Sequence, residues 1–141
     1  MFNPSINDVR SFFYDTYNKA INNQSLTDLE KVAYAVMLEH PEYNSILNNK
    51  DKYFDFKWDP KAGETNPFLH MSMHISICEQ LSINQPVGIT DLYQKMCVKY
   101  DSKHNAEHLV MDCLGEMIWQ AQVNKVPMDS EVYLSCMQAK L

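Results

Sequence analysis

Glycine is scarce: Gly63, Gly88 and Gly115 are the only three in 141 residues, too few for the tight turns of a β-sandwich or barrel. No glycine-rich run precedes a helical segment, which excludes the usual phosphate cradles, and no Gly-x-Ser-x-Gly elbow offers a nucleophile. Basic residues are also in deficit. Twelve Lys and Arg against 18 Asp and Glu give a net charge of -6, the wrong sign for binding a phosphate backbone, so nucleic acid is not expected as a partner. No apolar run reaches the roughly 18 to 20 residues of a membrane span. Met1 to Arg10 lacks the charged start and apolar stretch of a secretory signal, so a cytoplasmic protein is expected. The four cysteines, Cys78, Cys97, Cys113 and Cys136, include no Cys-x-x-Cys pair, which leaves out zinc ribbons and thioredoxin-like motifs. They read as reduced thiols packing as small apolar side chains.

What is present is a helical pattern. Hydrophobic residues make up 45% of the chain and charged residues 21%, the composition of one folded domain over residues 1–141. Asn3 and Pro4 read as the cap and first residue of a helix whose apolar face is Ile6, Val9, Phe12, Phe13, Tyr17 and Ala20, ending near Asn22. Thr27 with Glu30 is a capping box opening a second helix that Pro41 stops, with a short helical turn over Glu42 to Leu47. Periodicity is lost from Lys50 to Thr65, where Tyr53, Phe54, Phe56 and Trp58 suggest an ordered aromatic loop. Asn66 and Pro67 start a third helix through about Leu81, Thr90 caps a fourth, a long fifth runs from about Lys103 to Val123, and Asp129 caps a terminal helix. The expected fold is all-α, an irregular bundle of five or six helices with one aromatic-rich ordered loop.

The histidines carry the chemical information. Four of the five form pairs at i, i+4, His70 with His74 and His104 with His108, so each pair lies on one helix face and can reach one point. On the third helix His70 and His74 share the arc of Met71, Ile77, Cys78 and Leu81, facing the core. On the fifth, His104 and His108 lie opposite Val110, Cys113, Leu114 and Met117, beside Met111 and Trp119, which predicts a helix buried on both sides. His40 ends the second helix in line with Leu29, Ala33 and Val36. A buried imidazole needs a hydrogen bond, a carboxylate or a metal. The candidate metal ligands are therefore His70, His74, His104, His108 and His40, with Asp112 the best-placed carboxylate and Glu39 and Glu107 beside the histidines. Glu116 sits at the edge of the stripe and Glu79 points away. Zn, Fe or Mn suits such a set. No His-Glu-x-x-His and no pair of Glu-x-x-His motifs is present, so neither a zinc-protease nor a bridged di-iron site is indicated.

Three segments, NPFLHMSMHISICEQLSINQPVGI from Asn66, HNAEHLVMDCLGEMIWQAQ from His104 and EHPEY from Glu39, together with MFNPS and the following Val9-Arg10-x-Phe12-Phe13, resemble the bacterial domain-of-unknown-function family 1841 over nearly the whole chain. The resemblance implies a small cytoplasmic helical protein and no particular activity. It adds Glu79, Gln80, Gln85, Glu116 and Gln122 to the residues of interest, although helical geometry turns Glu79 away from the histidines.

Two functions compete. In one, His70 and His74 meet His104 and His108 around a metal ion, completed by Asp112 or Glu39, with the Tyr53 to Trp58 segment as shield, lid or plain core cover. In the other, the protein is a non-enzymatic interaction or structural module whose histidines form a buried polar network. There the nine methionines serve either as core or as an adaptable surface for a protein partner or a second copy.

Overall fold

The computed structural model describes residues 5–141; Asn3 and Pro4, expected to open the first helix, lie outside them. Every regular element among the described residues is helical: α1 (Ile6–Ile21), α2 (Asp28–Leu38), α3 (Asn44–Leu47), α4 (Lys50–Tyr53), α5 (Pro67–Ile83), α6 (Ile89–Tyr100), α7 (Lys103–Asn124) and α8 (Ser130–Ala139), with 3-10 turns at Pro41–Tyr43 and Pro60–Ala62. The all-α expectation holds, but eight α-helices replace the five or six expected. The four-residue α3 falls in the short helical turn expected over Glu42 to Leu47, and the element not expected is the four-residue α4, shorter than the window over which helical periodicity can be read. The stretch from Lys50 to Thr65 is accordingly not one loop: it opens with α4 and contains the second 3-10 turn.

Local chemistry explains the long helices. Ser5 and Asp8 form a capping box at α1, as Thr27 and Glu30 do at α2, each pair satisfying two backbone donors that the first turn leaves open. Asn66 Oδ1 accepts from the backbone N–H of Phe68 and Leu69 at the start of α5. Ser102 and Asp129 cap α7 and α8. Thr90 is not the cap expected of it. α6 begins one residue earlier, after Gly88 in the left-handed conformation (φ 98°), and the Thr90 hydroxyl donates instead to the Leu81 carbonyl at 3.0 Å.

By its internal contacts the chain divides into a first unit ending at Ile75 and a second, Ser76–Leu141. In the first, Phe13 and Tyr14 of α1, Ala33, Val36 and Met37 of α2, Leu47 of α3 and Phe68 and Met71 of α5 are buried hydrophobic residues. Tyr14 donates to the Ile46 carbonyl at 3.0 Å, and burial pushes its hydroxyl up to about 12. The buried face of α1 is Arg10, Phe13, Tyr14 and Thr16, rotated from the expected stripe, and Ile6 is exposed. Arg10 is the charged member of that buried face. Its Nη1 donates to the carbonyls of Tyr53, Phe54 and Phe56 at 3.3, 2.8 and 2.7 Å, and its guanidinium lies 5.1 Å from the ring centroids of both Trp58 and Phe68. Tyr53 and Trp58 stack with a 12° interplanar angle. The aromatic segment is thus pinned to α1 and α5 by one cation.

In the second unit α6, α7 and α8 pack on one another, around Ile89, Met96, Ala106, Val110, Cys113, Tyr133 and Met137. Tyr133 donates to Gln80 Oε1 at 2.7 Å, and burial raises its pKa. Cys113 and Cys136 form a disulfide joining α7 to α8, with Cα atoms 5.5 Å apart. This corrects the expectation of four reduced thiols: the 22 residues between them fold back as an antiparallel helix pair, which spacing alone does not reveal. Cys78 and Cys97 are outside this disulfide.

Candidate metal centre

The first unit gathers three histidines and a carboxylate. α2 ends at Leu38, so Glu39 and His40 follow at its C-terminal end, where Pro41 turns the chain into α3. His40 is 1% exposed. Its Nδ1 lies 2.8 Å from the Val36 carbonyl, and a carbonyl can only accept, so that nitrogen carries the proton and Nε2 carries the lone pair. The ring stacks on Tyr43 at an interplanar angle of 4°, which fixes its plane. Burial raises the pKa of the Tyr43 hydroxyl, and Glu42 adds to that rise.

From α5, one turn apart, His70 and His74 approach this ring. His70 Nε2 is 3.1 Å from His40 Nε2. His74, fully buried, packs its ring edge-on to His40 with centroids 5.3 Å apart, and one ring nitrogen of each lies within 4.8 Å of the other. His74 Nε2 stands 3.3 Å from Glu39 Oε2, and the Glu39 side chain is 41% exposed, so it gives the cluster an open side.

Taken pair by pair, these separations are compatible with two ligands of one metal. With metal–nitrogen bonds of about 2.0–2.1 Å, neighbouring ligands are about 3.3–3.4 Å apart in a tetrahedron and about 2.9 Å in an octahedron. The 3.1 and 3.3 Å contacts fall in that range. An N–H···N hydrogen bond spans a similar distance, so the same atoms also suit a shared-proton network.

The remaining sequence candidates lie in the second unit. His104 is exposed and His108 half-buried on α7, so the face expected to be buried on both sides is open at its start, and Trp119 on that face is 58% exposed. The two rings are 4.2 Å apart between centroids, and His108 Nδ1 lies 2.8 Å from the His104 carbonyl, the same arrangement that leaves Nε2 outward in His40. Glu107 is buried and accepts from the Tyr93 hydroxyl at 3.2 Å. Asp112, ranked first among the carboxylates by helix geometry, is exposed; Glu39 is the carboxylate set against a histidine. Glu79 is exposed, as helical geometry requires, and Glu116 accepts from Gln120 on its own helix.

Two residues were not singled out from sequence. Tyr43 orients His40, and an aromatic three residues after a histidine across a helix-stopping proline was the available signal. Arg10 stood in the sequence as a charge between Val9 and Phe13 on an otherwise apolar face. Of the methionines, Met37, Met71, Met96, Met111, Met117 and Met137 are buried, which makes them core.

An all-helical chain with a buried histidine cluster and no β-structure among its described residues is the class that fold and site define. The chain belongs to the family described as Domain of unknown function (DUF1841), whose model matches residues 5–139. No curated protein and no solved structure matches it.

Proposed function

We propose that this protein binds one divalent transition metal ion, Zn, Fe or Mn, within the histidine cluster of the first unit, with His40 and His70 as the central ligand pair and His74 and Glu39 as the neighbouring candidates. The observation that carries this is the meeting of His40 Nε2 and His70 Nε2 at 3.1 Å, with the His40 tautomer set so that its lone pair faces His70. Glu39 would be the exchangeable member. Its exposed carboxylate can give way to water, and an ion so opened could act as a Lewis acid.

The test is elemental analysis of protein purified without a histidine tag from metal-supplemented growth, beside His70→Ala and Glu39→Gln variants. Near-stoichiometric metal in the wild type, lost from folded His70→Ala and weakened in Glu39→Gln, supports the site. A wild type without metal leaves the second reading, a buried polar network in which His70 donates to His40. The second pair is tested separately: a His104→Ala/His108→Ala protein that keeps its metal confines the ligands to the first unit, and one that loses it makes that pair part of the site. The single-domain and cytoplasmic assignments belong to the same proposal. No helix among the described residues is long and apolar enough to cross a membrane.

A further inference from the structure

A second site is suggested by a buried charge with no counterion among the described residues. Arg10 is 6% exposed, and none of the ion pairs of the described residues involves it. Its three hydrogen bonds all leave from Nη1 and end on neutral carbonyls, while Nε is buried and without a partner. Carbonyls and two aromatic faces solvate a guanidinium, but they do not neutralise it, and an unneutralised buried charge is costly. In a chain of net charge -6, a carboxylate at this position would have been easily supplied.

The Arg10 side chain borders a cavity of about 280 Å³ lined by Ile6, Val9, Phe68, Leu69, Ser72 and the cap residue Asn66. α5 starts at its edge, and the N-terminus of a 17-residue helix adds positive potential. The walls are otherwise mostly aliphatic and aromatic. A volume just under the range of drug-sized pockets fits a small metabolite.

We infer that this cavity binds a small organic carboxylate with an apolar body, its carboxylate against the Arg10 guanidinium and its hydrocarbon chain along Ile6, Val9 and Leu69. A guanidinium edge matches a carboxylate in geometry, and the charge-assisted pair would form against a largely buried guanidinium, with Ile6 and Leu69 at the solvent-open side of the cavity. The inference does not depend on the metal site.

Calorimetric titration of the full-length protein with hexanoate, acetate, hexylamine and inorganic phosphate tests it, with the Trp58 indole N–H followed by NMR as a local reporter. Hexanoate should bind most tightly, acetate more weakly, and hexylamine not at all. Arg10 also holds the aromatic segment, so Arg10→Ala can fail for structural reasons; the decisive variant is Leu69→Glu. Leu69 is 59% exposed in the first turn of α5, where a glutamate is compatible with the helix. Its carboxylate would compete for the cationic end, weakening hexanoate at least about tenfold, or about 1.4 kcal/mol, while Leu69→Gln, which loses the same apolar contact without adding a charge, weakens it clearly less. No binding of hexanoate by the wild type, unchanged binding in Leu69→Glu, or phosphate binding as tightly as hexanoate would each overturn the proposal.

Discussion

The His40 and His70 imidazoles meet at 3.1 Å between their Nε2 atoms across a separation of 30 residues. Two neutral rings come this close only when a proton or a cation lies between the lone pairs. The two cases differ in what a chelator does. If a metal is bound, dialysis against a chelator should lower the melting temperature of the wild type, and a ligand present at 100 times its dissociation constant corresponds to about 2.7 kcal/mol. That is several degrees for a chain of this size. His70→Ala should melt at the same temperature with and without chelator, as read by circular dichroism.

Arg10 is the strongest single tie in the first unit. Arg10→Ala leaves the carbonyls of Tyr53, Phe54 and Phe56 without their donor and uncovers Trp58, so it should cost about 3 kcal/mol or more. Arg10→Lys should recover only part, because an ammonium can serve the carbonyls but has no planar guanidinium face to lie against Trp58 and Phe68. Urea denaturation measures the loss, and a red shift of tryptophan emission would report the release of Trp58.

Reduction should weaken the second unit. The Cys113–Cys136 bond closes a loop over a separation of 23 residues, for which chain-entropy arguments give about 3 kcal/mol. Cys113→Ala/Cys136→Ala should melt several degrees lower than the oxidised wild type, and the wild type with reductant should match it. Alkylation of acid-trapped cells followed by mass spectrometry reports which form occurs in the compartment. A reducing cytoplasm should hold the open dithiol.

Alkaline pH should also destabilise the fold. Tyr14 keeps its proton in the folded state up to about 12 because it is buried, whereas an unfolded tyrosine loses it near 10. The unfolded chain therefore binds fewer protons between those values, and stability falls as pH rises from about 10 to about 12. Tyr93 and Tyr133 shift in the same direction, again mainly by burial. Tyr14→Phe should shallow the slope of melting temperature against pH in that window and cost about 1 kcal/mol at neutral pH for the lost bond to Ile46.

Removing a cap should be milder. Thr27→Ala takes away the acceptor for the Glu30 N–H and should cost about 1 kcal/mol. It should lift the low pKa of Glu30 only in part, because the larger causes, the residue-27 backbone N–H and then Lys19, remain and only the Thr27 hydroxyl is lost. NMR titration of the Glu30 carboxyl checks the second effect.

The long helices were legible because their information is local. Thr27 with Glu30, Asn66 with Pro67 and Asp129 mark helix starts by hydrogen bonds made within three residues, and the ends of α5 and α7 follow from lost periodicity. The turn at α3 was legible from the helical residues after Pro41, but α4 was not, since one turn carries no periodicity to detect. The burial of His40 and His74 could be read from their apolar arcs. The openness of the face carrying His104 could not, because a polar stripe with a few apolar neighbours looks the same whether or not another element covers it.

The sequence by itself determined that the chain is helical, where its long helices begin, and that histidines would be its chemically informative residues, because spacing and capping act over a few residues. Tertiary structure alone decided that His40 from the end of α2 joins the α5 pair, that Glu39 and not Asp112 faces a histidine, that Cys113 and Cys136 are bonded, and that Arg10 is enclosed by an aromatic segment more than forty residues away. Each of these is a contact between residues distant in sequence, fixed by how buried side chains fill the interior and not by any local preference of the backbone.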